Sequence, residues 1–129
     1  MKKEAIICVI IVFFIFVGHF LLQKYSKDAI GETTANLGDL KEMLFEDDVD
    51  KDKAKNKIDE IHEKWDKRNN TMAFYIEHNE LEKVETELTG LSSSIETEDY
   101  EQAQNELARA EYILKHIEEK NKLSWKNIF

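Results

Sequence analysis

Residues 5–22 read AIICVIIVFFIFVGHFLL. This run holds no formal charge and one clearly polar residue, His19. Eighteen helical residues reach about 27 Å, close to the roughly 30 Å of a bilayer's hydrocarbon layer. A helix that is apolar on every face is not the helix of a small soluble core, which keeps a polar side. The stretch therefore reads as a transmembrane anchor at 5–22, behind a short tail at 1–4 and ahead of an acidic helical domain at 23–129 with an apolar tail.

The flanks support an uncleaved span. After Leu22 comes Gln23-Lys24-Tyr25-Ser26-Lys27, which lacks the small-x-small site of a cleaved signal peptide. A lipoprotein signal needs its cysteine after the apolar run, and Cys8 sits near its start. Lys24 can snorkel and Tyr25 suits an interfacial aromatic position. His19 lies near the end of the span, where a polar group costs less than at the centre. Gly18 has no partner at GxxxG spacing. Lys2 and Lys3 tie with Lys24 and Lys27 on the positive-inside count, and the α-amino group tips the balance. The expected arrangement is a signal-anchor in the cell membrane, with a cytoplasmic N-terminus and an extracytoplasmic domain.

Beyond the span the chain changes character. Of the net charge of −9, residues 1–27 contribute +3 and residues 28–129 contribute −12. The 129 residues include no Pro, 4 Gly and 1 Cys, and 35% are charged. Such a composition points to long helices and away from turn-rich β folds. One Cys excludes a disulfide framework and Cys-based zinc, and the acidity argues against nucleic acid as a partner.

Four apolar stripes follow. Ile30, Leu37, Leu40 and Leu44 fall on one helical face, on a helix that can continue directly from the span. Gly31, Ala35 and Gly38 add a small-residue stripe. Phe45–Asp48 marks a turn in which Asp47 or Asp48 caps the next helix, with Asp50 in its first turn. That helix carries Ala54, Ile58, Ile61 and Trp65 until Asn69-Asn70-Thr71 breaks or kinks it. The third carries Met72, Tyr75, Ile76, Val84, Leu88 and Leu91, ending at Gly90 and Ser92–Ser94. Thr97 caps a fourth with Tyr100, Ala103, Leu107, Ala110, Leu114 and Ile117, and Lys120 and Lys122 suit its negative end. The tail from Leu123 to Phe129 is apolar enough to fold back. The simplest assembly is an all-α antiparallel bundle of about four helices. Trp65, Phe74, Tyr75, Tyr100, Tyr112 and Trp125 are expected to supply much of its core. A faint match between the two halves, about 50 residues apart, needs no more than two antiparallel hairpins with 3/4 spacing.

Catalytic signatures are missing. There is no GxSxG, GxGxxG or GxxxxGK[ST]. The nearest approach to the Glu-x-x-His pairs of a di-iron bundle is a single Asp59-x-x-His62. Glu60, Glu63, Glu82, Glu85, Glu101, Glu118 and Glu119 read as solvent-facing, and Glu63–Lys67 and Glu111–Lys115 as helix-supporting i,i+4 pairs. The densest polar-aromatic stretch is Phe74–Leu81, where Glu82 is placed to orient His78.

Trp65, Met72, Tyr75-Ile76-Glu77-His78-x-Glu80-Leu81 and Leu123-Ser124-x-x-Asn127-Ile128-Phe129 together resemble the domain-of-unknown-function family 4363. The resemblance covers essentially the whole chain. It implies a small membrane-anchored helical protein of spore-forming Gram-positive bacteria, and brings no catalytic residues. The expected function is a non-enzymatic protein–protein interaction module at the membrane surface, engaging a membrane or envelope protein through Tyr75, Glu77, His78, Trp125, Asn127, Ile128 and Phe129. No cofactor, metal or small-molecule ligand is expected. The alternatives are a metal-dependent sensor or enzyme using His62, His78 or His116, and a structural subunit of a larger membrane complex.

Overall fold

The computed structural model describes residues 1–74 and 76–128, with side chains placed through residue 122. Its elements are four helices, α1 (Lys2–Leu44), α2 (Lys51–Met72), α3 (His78–Glu96) and α4 (Tyr100–Ile128), and the described residues hold no strand. α1 packs on α2, α2 on α3 and α3 on α4, and α4 closes the ring onto α1. Each contact runs antiparallel. Lys57 reaches Asn36 and Asp39, while Arg68, further along α2, reaches back to Glu32. Lys55 meets Glu96 while His62 meets Glu85. Arg109 meets Glu87 while Lys120 meets Glu77. The all-α bundle read from the stripes is the fold.

The stripes pack as their spacing requires. Ile30, Leu37, Leu40 and Leu44 are buried, as are Ala54, Ile58, Ile61 and Trp65. Val84, Leu88 and Leu91 face Ala103, Leu107, Ala110, Leu114 and Ile117 in the same core. The aromatic expectation is corrected. Trp65 is 0% exposed, but Phe74 and Tyr112 are 84% and 73% exposed, and Tyr100 is half-buried. Leucine and isoleucine fill the space those rings were assigned.

The helix boundaries differ from the local signals. α1 joins the apolar run to the first bundle helix without a break, over 43 residues. That is a rod of about 65 Å. The α2 cap is Asp50, neither Asp47 nor Asp48. It directly precedes the helix and accepts from the Lys53 backbone N–H at 3.2 Å. α2 runs through Asn69-Asn70-Thr71 because Met72 extends its buried stripe, and the break falls at Ala73–Glu77 instead. Burial of one large side chain outweighs a few tenths of a kcal/mol of propensity.

α3 likewise passes through Gly90 and Ser92–Ser94 to Glu96. Thr97 closes α3 rather than opening α4, and Asp99 is the residue that accepts from the Gln102 N–H. Between them Glu98 takes a left-handed φ of 59°, letting Asp99 donate to the Ser94 carbonyl at 2.8 Å. The backbone of α4 continues to Ile128 instead of ending near Lys122 and folding back.

The glycines separate into two kinds. A Cβ at Gly31 or Gly38 would meet nothing within 4 Å, so among the described residues no helix approaches closely at either glycine. A Cβ at Gly90 would lie 3.0 Å from Glu106 Oε1. Glu106 is buried and accepts from the Ser94 hydroxyl at 2.9 Å and the Gln102 amide at 3.2 Å. Gly90 is the gap into which that carboxylate fits.

Candidate functional site at the base of the bundle

The topology places Glu77 and His78 at the same end of the bundle as the last turns of the α4 backbone. α1 rises from its apolar segment to Leu44, α2 returns to Met72, α3 rises from His78 and α4 returns to Ile128. The Ala73–Glu77 turn and the end of α4 therefore share the base with Lys24 and Lys27. Three contacts set this register. Lys120 Nζ lies 3.1 Å from Glu77 Oε1. Gln23, Lys27 and Ile30 line a crevice with Glu118, Asn121 and Lys122. Arg68 pairs with Glu32 while its guanidinium sits 5.5 Å above the Tyr25 ring, which packs partly buried against the core.

Glu77 and His78 are the two candidate residues whose side chains are described. His78 Nε2 lies 2.9 Å from Glu82 Oε1, and both side chains are well exposed, so the pair is a surface contact and not a buried register-setting network. Tyr75 and Phe129 lie outside the described residues, as do the side chains of Trp125, Asn127 and Ile128. Phe74 is the base residue wrongly expected in the core on its size and apolarity alone; it lies outside every stripe and is exposed beside the helix break.

The histidines do not converge. His78 pairs with Glu82 and His116 is exposed on α4. His62 instead meets residues of the α2–α3 face. Its Nε2 is 2.5 Å from Glu85 Oε1, and ligand atoms of His62, Asp66 and Glu85 lie within 4.8 Å of one another. Glu85 is thus partly sheltered between helices, not a plain solvent residue, and its Oε2 is buried without a hydrogen-bond partner. Asp66 follows His62 by four residues, a spacing legible in the sequence, whereas Glu85 joins only through the fold. A hydrogen bond from Lys64, with the Lys57 charge nearby, holds Glu60 below the ordinary carboxylate range, and Lys64 is raised in return.

The opposite end is acidic. Glu46, Asp47, Asp48 and Asp50 occupy one connection there and Glu98 and Asp99 the other. Burial, followed by the charges of Glu98, Asp48 and Asp50, raises the pKa of the Tyr100 phenol.

A family model described as "Domain of unknown function (DUF4363)" matches residues 20–128, and the chain belongs to this family. The match spans the bundle and begins near the end of the apolar segment. No curated protein and no solved structure matches the chain.

Proposed function

We propose that the chain is a single-pass membrane protein and that its bundle is a non-enzymatic interaction module held at the membrane surface. The observation that carries this reading is the exposed apolar half of α1. Residues 1–17 are exposed on every face, with Phe13, Phe14, Ile15 and Val9 each more than half exposed. Large apolar side chains gain roughly 1.5–3 kcal/mol each when removed from water, so a lipid environment strongly favours this segment. α1 is also uninterrupted between Leu22 and the buried Ser26, Ala29 and Ile30, which supports retention of the segment as an anchor. The bundle lies outside the cytoplasm, and tethering raises its effective concentration toward neighbouring membrane or envelope proteins. Glu77 and His78, exposed beside the turn that opens α3, form the partner-facing part of the base.

Alkaline extraction of membranes from cells making the full chain tests the anchor. The chain stays with the lipid pellet; recovery of a soluble form starting beyond residue 22 overturns the reading. A photo-crosslinking residue at position 77 yields a discrete adduct that one at position 99, at the far end, does not. Equal or absent adducts at both positions remove the partner surface.

A second reading rests on His62, Asp66 and Glu85, whose mutual approach suits a divalent cation. Added zinc then raises the unfolding temperature of the full chain in detergent, and Glu85→Gln abolishes the rise. No shift eliminates the metal reading.

A further inference from the structure

We propose that the protein meets the bilayer twice: beside the span of α1, the last two turns of α4 seat in the lipid headgroup layer, with Phe74 of the α2–α3 turn at the same level. This deepens the single-span reading and rests on it. The register carries the inference. Glu118, Asn121 and Lys122 lie level with Gln23, Lys27 and Ile30, and α4 continues in the same direction through Ile128. Six further residues extend α4 by about 9 Å. That brings its backbone alongside the Gly18–Leu22 stretch of the antiparallel α1. Burial on α1 agrees: residues 1–17 are exposed all round, and half-burial begins at Gly18 and His19.

The sequence suits that level. Residues 123–129 read LSWKNIF, combining apolar residues with a tryptophan, the side chain most at home where one end is apolar and the other wet. Phe74, 84% exposed, occupies the neighbouring turn. Charge favours the same orientation. At the base Lys120 and Lys122 pair with Glu77 and Glu118, which leaves Lys24 and Lys27 beside the apolar segment, whereas Asp47, Asp48, Glu98 and Asp99 are carried to the far end. An anionic lipid surface attracts nearby unpaired lysines and repels carboxylates. The occupant of this surface is the interfacial layer of the bilayer that α1 crosses, which assigns the last two turns of α4 to lipid and leaves Glu77 and His78 to a protein partner.

The chain has two tryptophans, one of them Trp65, sealed in the core as an internal reference. The full chain is reconstituted into phosphatidylcholine–phosphatidylglycerol vesicles whose acyl chains are brominated near the headgroup, and its flotation with the vesicles is recorded. The expected result is flotation, with loss of the Trp125 emission to bromine. Trp125→Phe floats equally and shows only the unquenched Trp65 signal. Flotation with no difference in quenching between wild type and Trp125→Phe overturns the second contact and leaves the anchor standing. Failure to float overturns both. Trp125 unquenched in pure lipid yet shielded from a water-soluble quencher in native membrane vesicles assigns the segment to a protein and also overturns the lipid contact.

Discussion

The two halves of α1 form one uninterrupted helix and solve opposite problems. The lower half is apolar on all sides and exposed over residues 1–17, while the upper half confines its apolar residues to one stripe and buries Ile30, Leu37, Leu40 and Leu44 against α2 and α4. Backbone geometry is common to both, so the difference lies in side-chain distribution alone. Helix formation does not reveal which solvent a segment is built for; the angular spread of its apolar residues does.

Matched truncations give the widest separation between the halves. Leu40→Ala opens a cavity in the core and costs about 2–5 kcal/mol. For a domain of this size that lowers the unfolding temperature by roughly 4–8 °C per kcal/mol. Ile10→Ala, in the lower half, leaves bundle stability within about 0.5 kcal/mol. Urea unfolding of both variants in detergent, followed by circular dichroism, measures the contrast. Equal losses would mean that the lower half packs on the bundle.

Inserted charge separates the halves in the opposite sense. Phe13→Arg places a cation at the middle of the apolar run, where insertion costs about 2.5–3.5 kcal/mol, and the chain shifts from the membrane pellet to the soluble or degraded fraction. Thr34→Arg, on the exposed face of the upper half, changes neither membrane retention nor folding by more than about 0.5 kcal/mol. Flotation and protease resistance of the two variants are the measurements.

Glycines sharpen the comparison within the bundle. Gly31→Ala removes a helix-weakening residue where nothing stands in the way and gains up to about 1 kcal/mol. Gly90→Ala makes the same local gain but presses on the Glu106 carboxylate, held in place by Ser94 and Gln102. Disturbing a buried, bonded carboxylate costs about 1–3 kcal/mol, so the net effect is a loss. The companion change Glu106→Ala removes the obstacle, and in that background Gly90→Ala turns stabilising.

Periodicity revealed what repeats and missed what does not. The apolar run and the four stripes were legible because burial acts at every third or fourth residue. Gly90 was misread because the local rule treats glycine as a stop, whereas the chain uses it to admit the Glu106 carboxylate from α4, nearly two helical turns past that helix's start. Asn69-Asn70-Thr71 misled in the same way, its cap chemistry overridden by Met72. At the base, Glu77 and His78 stood out by composition, but Glu77's contact with Lys120 and the juxtaposition of the turn with α4 follow only from the antiparallel ring. The approach of Glu85 to His62 and Asp66 was hidden for the same reason, since Glu85 stands 23 positions from His62 on a different helix.

The smallest expected effect lies at the end farthest from the apolar segment, where Tyr100 is half-buried near Asp48, Asp50 and Glu98. Its folded-state pKa is raised, first by burial and then by these carboxylates. The folded protein therefore holds the phenolic proton more tightly than the unfolded chain. This contribution is complete below the ordinary tyrosine value of about 10 and is lost as pH rises through the folded-state value. Stability thus falls more steeply on the alkaline side in wild type than in Tyr100→Phe, which has no proton to lose there. Urea midpoints of the two proteins between about pH 8 and about pH 11 isolate the difference, because the remaining tyrosines and lysines are common to both. Salt then separates the causes. Screening weakens the pull of exposed carboxylates but leaves burial intact. Burial is the largest single cause, so part of the difference survives at high salt; its complete disappearance would show that the acidic end, rather than the core beneath it, governs this tyrosine.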